Sequence, residues 1–427
     1  MKMKLIYPKW RKLERQTHFN LPPHGPVVFA ATLPSWVDVQ FTDENVDEVN
    51  LDDTPDVVAL SVMLTAQLPR AFALADHFRS RGVKVIAGGI STALHSEEMG
   101  RHVDSVFIGE AEGRMEKVLE DLKKGQLRPE YDFSGDSPPI ELVGTARRGI
   151  LNRERYVHRG VKMLDLVHAS RGCKFKCFPC AAPFLGGRVF RPRPIAKVVE
   201  EIESIDNNRL FIVDNSLAQN AKWEEELFTA MIPLKKKWVS HPIEDNDKLL
   251  DLAYKSGAWY VYQAVFDTSD HIRNRIKRLH DNGIGVEGTI LLGTDDQDAD
   301  YIKRLVDFLL EVKLDLAEFT ILTPYLHTPL RAQLEKQGRI LNNNWANYTC
   351  DKVAFQPKKM TPAELQDMYY YAWDTFYKER NQELKMGDLF MKVIRREIAD
   401  GTYQSPLAAE GYVRRLRPDQ AGSGVVR

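Results

Sequence analysis

Two series of short apolar runs alternating with amphipathic helical patterns, separated by a stretch with no period, constrain this chain more than any other feature. Between residue 4 and about residue 125, strand candidates at 4–7, 37–41, 56–62, 83–87 and 105–108 are interleaved with helical patterns at 26–33, 70–81 and 113–123. That alternation is the sequence form of a parallel sheet covered by helices. Residues 126–163 carry Pro129, Gly135, Pro138 and Pro139, then a basic stretch, and read as a connection. Beyond them strands at 164–168, 210–213, 238–241, 260–265, 285–292 and 317–322 alternate with helices at 195–205, 222–231, 247–255, 271–281 and 299–312. The expected fold class is therefore α/β. A doubly wound (Rossmann-like) parallel sheet occupies 1–125, a linker 126–163, a partial (β/α)6 barrel 164–335, and a wrapping segment with helices 336–427. Working residues belong at the carboxyl ends of the strands in both units.

Immediately after the first barrel strand comes HASRGCKFKCFPCAAP, residues 168–183, with three of the four cysteines of the chain: Cys173, Cys177 and Cys180. Thiolates from one tight loop can converge on a single metal centre, and three are one short of the four that a cubane cluster or a closed zinc site takes. Such a site keeps an open position for chemistry. A zinc site completed by Cys350 or a histidine and a disulfide are the competing readings. Zinc prefers separated pairs of ligands, and an odd cysteine cluster with no signal peptide fits a reducing cytoplasm better than a disulfide framework.

The spacing Cys-x3-Cys-x2-Cys, with Phe178 between the last two cysteines and a strand before the first, resembles the signature of the radical S-adenosylmethionine (SAM) enzymes. The N-terminal loops SVMLT, GGIST and GEAE, in that order upstream, resemble those of the cobalamin (B12)-binding domain that precedes many radical SAM cores. Together they resemble the class B radical SAM methyltransferase type. The resemblance implies a [4Fe-4S] cluster on Cys173, Cys177 and Cys180, with SAM at the free iron and cobalamin over the N-terminal sheet. Cobalamin contacts would come from Ser61, Met63, Arg70, Gly88, Gly89, Ser91, Gly109 and Glu110. SAM contacts would come from Phe178, Asp214, Asn215, Ser269, Gly288, Ile290 and Thr323. Asp267 and His327, the latter at a turn where glycine is usual, are the catalytic candidates.

Departures accompany the match. The Asp-x-His-x-x-Gly element whose histidine ligates cobalt is absent, and the corresponding loop offers Leu21-Pro22-Pro23-His24-Gly25-Pro26. His24 and His95 are the candidates for groups near the cobalt. The segment 267–281 is shorter than in relatives, which should widen one side of the barrel mouth.

A formal net charge of -1, with 43% hydrophobic and 28% charged residues, gives no reason to expect nucleic acid as a partner. No apolar run is long enough to span a membrane. The run 235–237 reads as a solvated loop before a strand, and the last residues, AGSGVVR, as a loose tail. Thr361-Pro362-Ala363-Glu364 is a capping box opening a helix whose aromatic stripe belongs to a core. Cys350 reads as a small buried hydrophobe.

The expected activity is reductive cleavage of SAM at the cluster and cobalamin-dependent methylation of an unactivated carbon on a small or medium-sized metabolite, in the cytoplasm, with flavodoxin or ferredoxin as electron donor. A radical cyclisation, rearrangement or oxidation without methyl transfer is the alternative. A non-catalytic cobalamin- or metal-binding regulator is the third reading.

Overall fold

The structure is a computed structural model and describes residues 1–17, 19–181, 184 and 186–404. The loose tail read at the C-terminus lies outside them.

Six parallel strands form the N-terminal sheet: β1 (Lys2–Tyr7), β2 (Asp38–Asp43), β3 (Val57–Ser61), β4 (Lys84–Gly88), β5 (Ser105–Ile108) and β6 (Glu130–Asp132), in the order β2-β1-β3-β4-β5-β6. In β3 the first four residues are buried, as a strand covered on both faces requires. Helices α1 (His24–Ala31), α2 (Leu68–Ser80), α3 (Ile90–Leu94), α4 (Ser96–His102) and α5 (Met115–Lys123) supply the cover. Their apolar faces form two cores, one around Val58, Leu74 and Phe78, the other around Leu5, Ile86 and Leu119. Strand β6 comes from the stretch read as a linker. It has one buried side chain, Tyr131, so no alternation announces it.

The second sheet is also all parallel: β7 (Asp165–Val167), β8 (Arg209–Ile212), β9 (Lys237–Ser240), β10 (Ala258–Ala264), β11 (Gly285–Leu292) and β12 (Leu316–Ile321), in the order β12-β11-β10-β9-β8-β7. It is surrounded by α6 (Ile195–Glu203), α7 (Ala221–Met231), α8 (Asp247–Ser256), α9 (Asp270–Asp281) and α10 (Ala299–Glu311). Side chains alternate across each strand. Val286, Ile290, Ala317 and Phe319 join the sheet–helix core, whereas Phe211, Val239, Tyr260, Tyr262 and Leu316 form a separate cluster inside the barrel.

Helices α11 (Pro329–Lys336), α12 (Pro362–Phe376) and α13 (Gln382–Ala399) follow the barrel among the described residues. The capping box forms: Glu364 N donates to Thr361 Oγ1 at 3.2 Å and Thr361 N to Glu364 Oε2 at 2.7 Å. Tyr369, Trp373 and Phe376 are buried in the main core. One reading is corrected. Lys237 is not in a solvated loop; it opens β9, is 1% exposed, and donates to Asp400 Oδ2 at 2.7 Å. A buried ammonium is tolerable because it is paired. Among the described residues no helix is long and apolar enough to cross a membrane.

Candidate cofactor site between the two sheets

The cysteine loop is fixed at its base. Ser170–Arg171 pair antiparallel with Arg191–Pro192, and Cys173 N donates to Gly187 O at 3.1 Å. Gly172 has φ +75°, and a Cβ there would overlap the Val189 carbonyl, so only glycine closes this loop. Gln219, 2% exposed, accepts from Lys174 N at 2.9 Å and donates to Gly172 O at 3.2 Å. Cys173 is buried; Cys177 and Cys180 are exposed, and none of the cysteines is in a disulfide. Burial pushes the Cys173 thiol up, and neighbouring Cys180 and Cys177 add to the effect. The thiols therefore act on one another electrostatically. Among the described residues, however, no three His, Cys, Asp or Glu side chains stand close enough together to hold a metal ion. Phe178 is 57% exposed beside the cysteines.

Asp214 serves the same loop from behind. Its carboxylate accepts from Ala169 N at 2.7 Å and from the Ser170 hydroxyl, and burial raises its pKa to about 6. The side chain expected to face SAM thus holds the backbone leading to the cysteines. Asn215 is half-buried beside it. Arg193, 2% exposed, donates to His168 O at 2.7 Å and pairs with Glu201 at 2.7 Å.

Arg171 joins the loop to the N-terminal sheet. Its guanidinium donates to Glu110 Oε2 at 2.5 Å and to Glu112 Oε1 at 2.6 Å, and Arg191 also pairs with Glu110. Glu110, expected as a cofactor contact, is occupied by these arginines. A second bridge is His24 Nε2 to His168 Nδ1 at 2.7 Å. Burial, reinforced by Arg148, Arg171 and Arg193, pushes His24 down to about 3, and burial with His24 and the same arginines pushes His168 down as well. Both imidazoles are neutral at ordinary pH. His24 is therefore a partner of the barrel.

In a sheet of order β2-β1-β3, the ligand crevice opens between the carboxyl ends of β1 and β3. Ser61 ends β3 there and Met63 is 39% exposed. Gln67, fully buried, accepts from Met63 N and Leu64 N, each at 2.8 Å, and donates to Pro8 O at 2.6 Å, which fixes both rims. Ser91 Oγ donates to Met63 O at 2.9 Å. Gly89 has φ +105°, and a Cβ would lie 2.5 Å from Val62 O, so this glycine serves the packing of two loops on each other. Gly88 meets Phe107 O at an ordinary 3.7 Å. Gly109, φ +105°, is similarly pressed by Phe133, at 3.0 Å. Arg70 is held by Glu44 (Nη2–Oε1 2.6 Å).

At the barrel end, Ser269 caps α9 by accepting from Ile272 N at 3.4 Å, while Asp267 Oδ1 accepts from Ser269 N at 2.9 Å. Both expected site residues thus also shape the local turn. Ile290 is fully buried against the helices, and a Cβ on Gly288 would strike Leu314 at 2.6 Å. Their side-chain positions face away from the barrel interior. Thr323 Oγ1 donates to Ile321 O at 2.9 Å. His327 has φ +61°, the left-handed conformation for which glycine is the usual residue, and is exposed.

The interior holds two residues that the sequence reading missed, Glu287 on β11 and Glu318 on β12. Burial, with Glu318 adding repulsion, raises Glu287 to about 8; burial raises Glu318 too, and Gln16 donates to it at 2.5 Å. A charged residue at an inward position of an otherwise apolar strand was the available signal. Cys350 is half-buried, and its sulfur lies 3.1 Å from the Tyr325 hydroxyl.

Comparison with known proteins agrees with this arrangement. The B12 binding domain family matches residues 19–119, over the N-terminal sheet. The chain is 23% identical over 419 residues to bacteriochlorophyllide d C-12(1)-methyltransferase of Chlorobaculum tepidum, covering 92% of this chain and 89% of that protein. It is 24% identical to the C-8(2)-methyltransferase of the same organism, over 79% and 82% of the two chains. Among solved structures, the radical SAM methyltransferase TsrM from Kitasatospora setae superposes with a TM-score of 0.62 at 16% identity, covering 86% of this chain and 83% of that one. The cobalamin-dependent SAM radical enzyme OxsB gives 0.54 at 15%, over 89% and 56%. A B12 binding domain match over the N-terminal sheet is followed by a cysteine-loop barrel, and the chain is similar along most of its length to bacteriochlorophyllide methyltransferases and, in fold, to the radical SAM methyltransferase TsrM.

Proposed function

We propose that the chain methylates an unactivated carbon of a small or medium-sized metabolite, using SAM, a [4Fe-4S] cluster and cobalamin. One observation carries the reading: Arg171, two residues before Cys173, is clamped between Glu110 and Glu112 at the carboxyl end of β5, so the cysteine loop and the B12-binding domain are presented to each other. In donor type, though not in the spacing the cysteines hold here, the residues present fit both groups. Three cysteines on one loop, none of them in a disulfide, form a donor set for a cluster with an open iron, and the crevice exposes Met63 while leaving the buried His95 ring nitrogens without a hydrogen-bond partner. Cys173, Cys177 and Cys180 would hold the cluster, and Ser61, Met63 and Ser91 would line the corrinoid side. When bound, these groups supply the electron, the hydrogen-abstracting adenosyl fragment and the methyl donor.

The rest falls to the chain itself. Gln219, Asp214 and Gly172 fix the base of the cysteine loop, and the barrel interior orients substrate between Tyr262, Glu287 and Glu318. With both carboxyls raised by burial, one stays protonated near neutral pH and can donate a hydrogen bond while the other accepts. His327 stands exposed on the turn after β12. Flavodoxin or ferredoxin would deliver electrons at the exposed Phe178 edge.

A second reading, radical cyclisation without methyl transfer, is favoured by the 24% identity, over 89% of this chain, to an anaerobic magnesium-protoporphyrin IX monomethyl ester cyclase of Cereibacter sphaeroides. Products separate the two. After anaerobic reconstitution with SAM, reductant and substrate extracts, a methyltransferase yields 5'-deoxyadenosine and S-adenosylhomocysteine, whereas the alternative yields the first alone. The Cys177→Ala variant should yield neither and lose most of its iron; full turnover in that variant would end the assignment.

A further inference from the structure

We infer that the outer face of α13 is a docking surface for a second copy of this chain, the two helices packing antiparallel about a two-fold axis at the barrel end remote from the cysteine loop.

Helix α13 closes the amino-terminal end of the barrel. Arg209 at the start of β8 pairs with Glu397, Lys237 at the start of β9 pairs with Asp400, and Lys385 donates to Leu314 O, just before β12, at 3.2 Å. On the inner face Leu389 and Met386 reach the cluster inside the barrel, and Val393 is buried. The reacting end of such a barrel is the opposite one. A copy seated on the outer face of α13 therefore covers none of the residues of the cysteine loop.

The outer face is not composed for water. Leu384, Met391 and Ile398 recur every seven residues and are 53%, 50% and 61% exposed. Gly387 and Ile394 stand three residues after the first two, so the helix carries the a and d positions of a coiled-coil seam over two heptads. Single exposed apolar side chains are ordinary, but a row of them along about 21 Å of one helix is a contact surface. Gly387 points the same way. Glycine weakens a helix interior, yet nothing lies within 4 Å of the Cβ that alanine would add there, so packing within the chain gives no reason for it. A bare backbone in the seam lets another helix approach closely.

Charge selects the occupant and its direction. Asp388 and Arg395, both exposed, hold the e positions beside the seam. On its other side the g positions are Phe390 and Glu397, and Glu397 is buried and spent on Arg209. A parallel pair would set e against g of the other helix, where no exposed charge is on offer. An antiparallel pair sets e against e, which places Asp388 of each copy beside Arg395 of the other. One symmetric contact thus forms two ion pairs. The same register lays Ile398 over Gly387 and Met391 against Ile394. Asp388 also accepts from Arg380 of its own chain at 2.6 Å, and its side chain, 57% exposed, stays within reach of a second arginine.

The test follows the mass of the full-length chain by sedimentation velocity from about 1 to about 200 µM, under reductant so that the exposed Cys177 and Cys180 form no bridge between copies. One helix pair lies at the small end of interface sizes, so wild type should approach twice the mass of the chain with a Kd on the order of 10 µM. Met391→Lys, at the middle of the seam, should weaken association by about tenfold or more, and so should Arg395→Glu, which leaves only carboxylates beside the seam. Adding Asp388→Arg to Arg395→Glu rebuilds both pairs with their signs exchanged and should return the Kd to within about threefold of wild type. All of these positions lie on the outer face, and circular dichroism verifies that each variant is folded. A wild type that stays monomeric overturns the inference and leaves the stripe to another segment or another protein. Association that Met391→Lys does not weaken overturns it too, as does a double variant no better than Arg395→Glu alone, since only the proposed pairing makes the second reversal a rescue.

Discussion

The two parallel sheets of this chain hold their ligand-facing loops by different means. At the N-terminal sheet the loops after β3 and β4 are pressed backbone to backbone, with Gly89 against Val62, and one buried amide, Gln67, ties both rims together. At the barrel the large apolar side chains described in the cysteine loop point outward. Phe175, Phe178 and Phe184 are exposed, and the hold comes from buried polar groups: Asp214, Gln219, Arg171 and Arg193. Steric closure gives a rigid crevice for a large ligand. Polar clamping at the base leaves the tips of the loop, Cys177 and Cys180, accessible to a metal cluster.

The sharpest way to break this contrast is a pair of substitutions. In Gly172→Ala the new methyl overlaps Val189 O, and in Gly89→Ala it lies 2.5 Å from Val62 O. The positive-φ backbone alone adds about 1–3 kcal/mol of strain in each case. Gly172→Ala should lose most of its iron after reconstitution while still retaining a corrinoid. Gly89→Ala should do the reverse. If either variant loses both ligands, the two loops are not held independently.

A smaller effect is expected at the joint between the units. Arg171→Met removes the partner of two carboxylates that are mostly buried, Glu110 at 14% and Glu112 at 4% side-chain exposure. Arg191 still neutralises Glu110. Glu112 is left buried without its arginine, so the loss should be about 3–5 kcal/mol. Urea unfolding of the variant measures it; a change within error would show that the joint depends on apolar contact instead.

How much of this was legible in the sequence follows from the same contrast. The barrel strands were read nearly residue for residue, because each parallel strand is a continuous apolar run between helices of clear period. The three-residue β6, flanked by Pro129 and Pro138, had no run to read. His327 was noticed only as standing where glycine is usual, and its φ of +61° is the physical content of that observation. Arg70, Glu110, Asp214 and Ile290 were expected to face cofactors, yet the structure gives the first three to intramolecular partners and buries the fourth. Spacing locates a loop. It cannot say whether a carboxylate turns toward a ligand or back toward a backbone amide. Gln67 and Gln219 went unread because a buried glutamine that fixes two loops has no local pattern.

The smallest expected effect concerns the His24–His168 bridge, a joint between the units whose groups titrate near neutrality in the unfolded chain. Both histidines are neutral in the fold: His24 is pushed down to about 3, and His168 well below its ordinary value, by burial and the nearby arginines. The unfolded chain takes up these protons near pH 6.5, so the folded state is fully favoured above that pH and loses stability as pH falls toward about 3. The slope is about 1.4 kcal/mol per pH unit for each histidine. Asp214 acts with the opposite sign. Its pKa is raised to about 6, so its unfavourable contribution shrinks as pH falls from about 6 toward the unfolded carboxylate value. Glu287, raised to about 8, shares the sign of Asp214, so the share of the bridge is read by removing one of its histidines. In His24→Phe one proton taken up only by the unfolded chain drops out of the balance. Between pH 6.5 and 5 the urea midpoint of the variant should therefore fall less with acid, or rise more, than that of the wild type, and an unchanged slope would place the acid sensitivity elsewhere than at this bridge.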